Sequence, residues 1–256
     1  MNPLTTLQAA VGRRLARFLA APHHTHGTSP PTPLRRLAAA LRPGDVLLVE
    51  GQSRVSTAIK YLTQSTWSHA ALYVGEHGKG RLASPDHCFV EADLVEGVRG
   101  VGLDEFAKYH TRICRPIGLT EQECAAVTNH VLNRIGHQYD LRNMIDLARY
   151  LLPVPPVPER FRRRLISFGS GDPTRAICST MIAQAFESIR YPVLPYTETQ
   201  AAPTFECPGC VDEVYRIRDH SLYAPRDFDV SPYFRLVKPS LEADFDFHTM
   251  IWRDAG

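Results

Sequence analysis

The sequence predicts an α+β domain, and three observations carry that reading. Short runs of strand character separated by Gly-containing turns crowd between residues 46 and 116, helical periodicity takes over from residue 120, and no internal repeat is present. The 256 residues are 44% hydrophobic and 22% charged, enough for one well-cored domain of ordinary soluble character. Twenty prolines and 16 glycines add many turns or long loops.

Residues 4–19 set Leu4, Leu7, Val11, Leu15 and Phe18 at helical spacing, with Arg13, Arg14 and Arg17 flanking or opposite that stripe. Two readings stay open, a helix docked on the domain or one lying on anionic lipid, and docking is the commoner fate. Residues 21–34, rich in His, Thr, Ser and Pro, read as a linker. The domain proper starts at Leu41-Arg42-Pro43-Gly44-Asp45, a turn that feeds a short strand from Val46 to Glu50. Ser53 or Ser56 then caps a helix through Ile59 and Leu62. Strands follow over 69–75, 87–94, 98–101 and 112–116, which suggests a small antiparallel sheet or an open barrel. Thr120 followed by Glu123 is a capping box for a helix to about Ile135, and a second helix from Asp140 to Tyr150 is stopped by Pro153. Prolines interrupt the first third of the stretch from Leu151 to Gly171, so it cannot be one regular helix. A helix beginning at Cys178 ends near Arg190, before Pro192. In the tail, the run from Arg226 to Phe234 reads as a turn followed by a last strand, Phe234 to Val237.

A formal charge of +2 excludes a whole-chain neutraliser of nucleic acid, and the basic clusters (Arg13, Arg14, Arg17; Arg160, Arg162, Arg163, Arg164) lack interleaved stacking aromatics. No nucleic-acid partner is expected. No apolar stretch reaches bilayer length, and arginines stand where a secretory signal would need its apolar centre. The expectation is therefore a cytoplasmic protein. Peripheral contact with the inner membrane surface through residues 4–19 and 151–168 is part of that expectation, since both segments combine apolar and basic residues. The six cysteines, Cys88, Cys114, Cys124, Cys178, Cys207 and Cys210, sit in a chain long enough not to need staples, which fits a reducing compartment. Only Cys207-Pro208-Gly209-Cys210 has ligand spacing. Without a second pair it stays open between a tight turn, a labile disulfide and half a metal site, with the turn favoured. No metal and no cofactor are expected.

Chemistry singles out Cys178, where a polar loop ends and a helix with an apolar stripe begins. Unpaired backbone N–H groups at such a point favour a thiolate. Most free cysteines are buried small hydrophobes, and that is the plain alternative. Cleavage of an amide or ester by a thiol also needs an imidazole and donors for the developing oxyanion. His69 is the preferred base because it opens a strand between the small residues Ser68 and Ala70. His23, His24 and His26 lie in the linker and His77 in a glycine turn. Glu91, flanked by apolar residues and sharing a strand face with Phe89 and Asp93, would hold the imidazole in one tautomer; Asp86, Asp93 and Glu96 compete for that role.

Five stretches, taken together, resemble the YiiX/YebB-like branch of the permuted NlpC/P60 (papain-like) cysteine hydrolases. They are Leu41–Leu48, Thr66–Gly75, Val90-Glu91-Ala92 with Gly97-Val98, Ile177-Cys178-Ser179-Thr180, and Asp227–Phe234. The order histidine, carboxylate, cysteine is the permuted one. The resemblance covers about residues 41–237 and implies a circularly permuted papain-like fold, a small curved antiparallel sheet packed against helices. It further implies catalytic roles for Cys178, His69 and Glu91, with Tyr139 in Gly136-His137-Gln138-Tyr139-Asp140 serving the oxyanion. The expected organisation is an N-terminal amphipathic helix and flexible linker over 1–40 and a catalytic domain over 41–240 with an insertion at 151–171. A C-terminal tail over 241–256 completes it. The implied substrates are acyl-amides, peptides or lipids. Hydrolysis and lipid-directed acyl transfer remain alternatives, as does a non-catalytic protein with a retained pocket, and the oligomeric state is not legible.

Overall fold

The run Val46-Leu47-Leu48-Val49 is apolar at every position because both of its faces are covered. In the computed structural model it forms strand β1 (Val46–Val49). The structure describes residues 20–21, 30–93, 95–137, 177–201, 206–207, 209–218, 222–239 and 246–249. The other strands are β2 (His69–Tyr73), β3 (His87–Asp93), β4 (Gly97–Gly102), β5 (Thr111–Pro116), β6 (Tyr196–Ala201), β7 (Val211–Arg216) and β8 (Phe234–Val237). Six of them make one antiparallel sheet in the order β4-β3-β2-β1-β5-β8, and β6 and β7 form a separate hairpin. The helices are α1 (Leu34–Ala40), α2 (Arg54–Thr63), α3 (Glu121–Leu132), α4 (Ile177–Glu187) and α5 (Pro225–Val230).

Alternation along the strands divides the core into two layers. Val46, Leu48, Ala70, Leu72 and Val90 pack with Val127 and Val131 of α3, Met181, Ile182 and Phe186 of α4, and Phe228 of α5. Leu47, Val49, Ala71, Phe89, Val101 and Ile113 face the other way, onto Leu37 of α1 and Phe106. The fold is thus α+β, a curved antiparallel sheet against helices, as the resemblance implies.

Most expected elements stand within two residues of their place, and the capping chemistry chooses where the sequence left a choice. Ser53 caps α2, its Oγ accepting from the Ser56 N–H at 3.1 Å. The Thr120/Glu123 box closes in both directions, at 3.2 and 2.9 Å, although α3 stops at Leu132, short of Ile135. One expectation is corrected: Pro225–Val230 is a short helix rather than a turn. Pro225 presets the backbone of the first helical position, and the Asp227 carboxylate accepts from the Ala224 N–H at 2.9 Å. The β6–β7 hairpin and α1 were not expected at all. Cys207 and Cys210 at the foot of the hairpin are joined in a disulfide, the second of the options that spacing left open. The segments expected to be an N-terminal helix (4–19), a helix over 140–150 and an insertion over 151–171 lie outside the described residues.

The Pro43-Gly44 turn needs its glycine, which sits at φ +89°. It delivers Asp45 into the interior, where both carboxylate oxygens are held by Arg115 of β5, Nε to Oδ1 at 2.8 Å and Nη2 to Oδ2 at 2.7 Å. The Arg42 N–H adds a bond to Oδ2 at 2.8 Å, and Arg115 also donates to the Ala40 carbonyl. Burial nevertheless pushes the Asp45 carboxyl up, with Arg115 pulling against it. One ion pair therefore ties the end of α1, the entry to β1 and strand β5 together.

Candidate active site

His69 is placed by the entry to β2. The Ser68 N–H donates to the Val49 carbonyl at 3.1 Å, and Ser68 Oγ accepts from the Gly51 N–H at 3.0 Å. A Cβ on Gly51 would stand 2.3 Å from Ser56 Oγ and 2.8 Å from Ser68 Oγ, so only glycine lets these turns approach. Register does the rest. Val49 pairs with His69, Ala71 with Glu91, and Glu91 with Arg99, which sets Glu91 and Arg99 side by side on the Phe89 face of the sheet. His69, the first residue of β2, stands at the end of that face. Its Nε2 lies 2.8 Å from Glu91 Oε2.

Arg99 secures the other carboxylate oxygen, Nε to Glu91 Oε1 at 3.0 Å and Nη2 to the same atom at 2.8 Å. It also pairs with Glu96 at 2.9 Å and Glu105 at 3.5 Å. Burial would raise the Glu91 carboxyl, but its bond to His69 and the charges of His69 and Arg99 bring it below the ordinary carboxylate value. Glu91 is therefore an anion held at two points.

Cys178 comes from the opposite face, in the first turn of α4, whose Met181, Ile182, Ala185 and Phe186 bury against the sheet. Only 4% of Cys178 is exposed. The neighbouring Ser179 hydroxyl donates to the Tyr223 carbonyl at 2.7 Å, which pins this turn to the segment leading into α5. His69 and Cys178 act on each other's protonation at close range, and since Glu91 takes Nε2, the nitrogen left to face the sulfur is Nδ1. Burial alone would raise the thiol; the charge and hydrogen bond of His69, with the Ala70 and Ser179 N–H groups, reverse this and lower it. For His69 burial works against the charged ring, yet Cys178 and Glu91 together hold it well above the ordinary imidazole value. The arrangement favours a thiolate beside an imidazolium, with backbone N–H groups at the sulfur.

Of the sequence-derived site residues, the structure thus brings His69, Glu91 and Cys178 together. Tyr139 lies outside the described residues. The rival carboxylates are engaged elsewhere or sit apart: Asp93 Oδ1 accepts from the Val95 and Glu96 N–H groups at 2.7 and 2.8 Å, Glu96 binds Arg99, and Asp86 is exposed in a turn. His77 bonds to Thr128 at 2.8 Å and belongs to the packing of α3. Sequence reasoning missed Arg99. A lone arginine between the glycines of Gly97-Val98-Arg99-Gly100, in a strand that follows the Glu91 strand, was the available signal. Among the described residues no group of three or more His, Cys, Asp or Glu side chains is placed to hold a metal ion, and no helix is long and apolar enough to cross a membrane.

Residues 40–150, which carry His69 and Glu91, match the family described as "Permuted papain-like amidase enzyme, YaeF/YiiX, C92 family". That stretch is where the chain is similar to this family. Cys178 lies beyond the matched stretch. A curated relative, "Probable lipoprotein peptidase YaeF" of Escherichia coli (strain K12), is 23% identical over 172 residues, covering 61% of this chain and 59% of that protein. The chain therefore spans about three-fifths of the length of that relative. A solved structure titled "Crystal structure of metalloprotein yiiX from Escherichia coli O157:H7" is 15% identical, with a TM-score of 0.43, over 78% of this chain and 97% of that one.

Proposed function

We propose that the chain is a cysteine hydrolase that cleaves an amide or ester bond through an acyl-thioester on Cys178. The observation that carries this reading is the imidazole of His69 held between Glu91 at 2.8 Å and the Cys178 sulfur. The thiolate attacks the substrate carbonyl carbon, and the carbonyl oxygen becomes an oxyanion. On collapse the C–N or C–O bond breaks, the leaving group takes the Nδ1 proton of His69, and the thioester remains. His69, now neutral, removes a proton from water, which attacks the thioester; the acid leaves and the thiolate–imidazolium pair is restored. Glu91 fixes the tautomer and compensates the charge, and Arg99 keeps Glu91 in place. The amidase description of the family and the peptidase name of the relative favour an amide.

A thiol-directed acyl probe is expected to add one acyl group, seen by intact mass, to the native chain and none at this position in Cys178→Ala. Equal labelling of both would sink the assignment. Replacing Glu91 by Gln removes the negative charge beside His69 and is expected to lower turnover about 100-fold. It should also shift the alkaline limb of the pH–rate profile to lower pH, because the imidazolium loses its anionic partner. An unchanged rate and profile would move the orienting role to another carboxylate.

A further inference from the structure

At the end of the sheet where β2 and β5 begin lies a pocket of about 680 Å³ whose charged lining is mostly positive: Lys60, Arg112 and Arg226 against Asp229. Two features place it at the site. Val49 pairs with both His69 and Thr111, so β2 and β5 begin at the same end of the sheet. Arg112 pairs with Leu48, whose side chain faces the α4 layer, and Trp67 shares the core layer of Cys178. The pocket therefore opens at the same end and on the same face as the nucleophile.

Its wall is preorganised. Trp67 donates from Nε1 to Asp229 at 3.0 Å and stacks on His110 with ring centres 5.4 Å apart. The Arg112 guanidinium lies 4.9 Å over the indole and gives Nη1 to Asp229 at 2.7 Å. That fixes the Arg112 fork while engaging only one of its nitrogens, so the others are spare for an anion. Arg226 spends Nη1 on the Thr63 carbonyl at 3.1 Å, and Lys60 forms an ion pair with the buried Glu50 at 3.6 Å, longer than a full hydrogen bond. Holding α5 to the sheet explains Arg112, Asp229 and Trp67. It does not explain why Lys60 and Arg226 converge on the same space.

We propose that this pocket receives an anionic group, a carboxylate or a phosphate, carried by the substrate whose carbonyl Cys178 attacks. The proposal rests on the cysteine-hydrolase reading for its connection to turnover, and its test separates the two. Three iodoacetamides with the same alkyl chain, ended by phosphate, carboxylate or hydroxyl, are reacted with the full chain, and the rate of Cys178 modification is read by intact mass. An anionic end is expected to give about a tenfold advantage over the hydroxyl, the worth of one charge-assisted hydrogen bond. The faster of the two anions names the source. Lys60→Gln and Arg226→Gln, each on an accessible side chain, should bring that ratio toward one.

Equal rates for all three probes would overturn the pocket assignment and leave the nucleophile intact. Modification of Cys178 no faster than of the other thiols would defeat the hydrolase reading instead. In that event calorimetry decides the pocket, with glycerol phosphate, succinate and glycerol titrated into Cys178→Ala. Binding of an anion that weakens in Lys60→Gln or Arg226→Gln upholds the site. No binding, or tighter binding of single-stranded DNA at the same residues, overturns it.

Discussion

His69→Gln is expected to cost about 1000-fold or more in turnover, the largest effect of any single replacement outside the nucleophile itself. The imidazole does two jobs at once: it stabilises the thiolate before attack and delivers the proton to the leaving group. The first can be read without a substrate. In the native chain the Cys178 thiol lies below its ordinary value and the His69 ring well above its own, shifts that both favour the ion pair. As pH falls, the pair is lost when the thiolate protonates; as pH rises, it is lost when the imidazolium deprotonates. Alkylation of Cys178 by iodoacetamide should therefore set in at lower pH than that of an ordinary thiol. In His69→Gln the burial of Cys178 is no longer opposed by a positive charge, and the rate should rise only in alkaline solution. Superimposable alkylation profiles for the two proteins would mean that His69 does not govern the thiol.

Asp45→Ala should be the most damaging change for stability, lowering it by about 3–5 kcal/mol in urea unfolding. The side chains of Asp45 and Arg115 are only 1% and 10% exposed, so removing the carboxylate takes the Asp45 charge and two hydrogen bonds away from a largely buried guanidinium. It also loosens the Ala40 carbonyl and the Arg42 N–H, the two ends of the link between α1 and β1. Replacing both partners with apolar residues, Asp45→Leu with Arg115→Met, should recover part of the loss, because the penalty lies in burying a charge that has lost its carboxylate. A loss below about 1 kcal/mol in Asp45→Ala would show that the pair behaves like a surface salt bridge. By contrast, the Glu76–Lys79 pair is exposed on both sides, and breaking it should leave the unfolding midpoint where it was.

What the sequence disclosed and what it withheld follow from the same physics. Strands β1 to β5 were legible because each carries an apolar face bounded by turn residues, and α3 because its capping box is a local signal. The β6–β7 hairpin was not, since Tyr-Thr-Glu-Thr-Gln-Ala and Val-Asp-Glu-Val-Tyr-Arg are exposed almost throughout and bury no face that a pattern could reveal. Helix α5 was missed because Pro225 and Asp227 serve a turn as readily as the first turn of a helix. At the site, residue type and local setting marked out Cys178, His69 and Glu91 as candidates, and the resemblance to permuted papain-like hydrolases supplied their roles. Arg99 could not, because its part depends on lying opposite Glu91, and cross-strand pairing is a property of the folded sheet. The Asp45–Arg115 pair, 70 residues apart, was hidden for the same reason.

The contact between His69 and Glu91 is also a gauge of how the chain has been threaded. Side chains alternate along β3, so sliding it one residue against β2 would present Val90 or Ala92 to the imidazole, and a well-packed molecule would carry no orienting anion. Glycines at 97, 100 and 102 weaken the hold of β4 on this register, and β3 already shifts its pairing between His87 and Phe89. Under the proposed chemistry, the specific activity of a refolded sample would then count correctly paired molecules, including against misthreaded ones that circular dichroism could not tell apart.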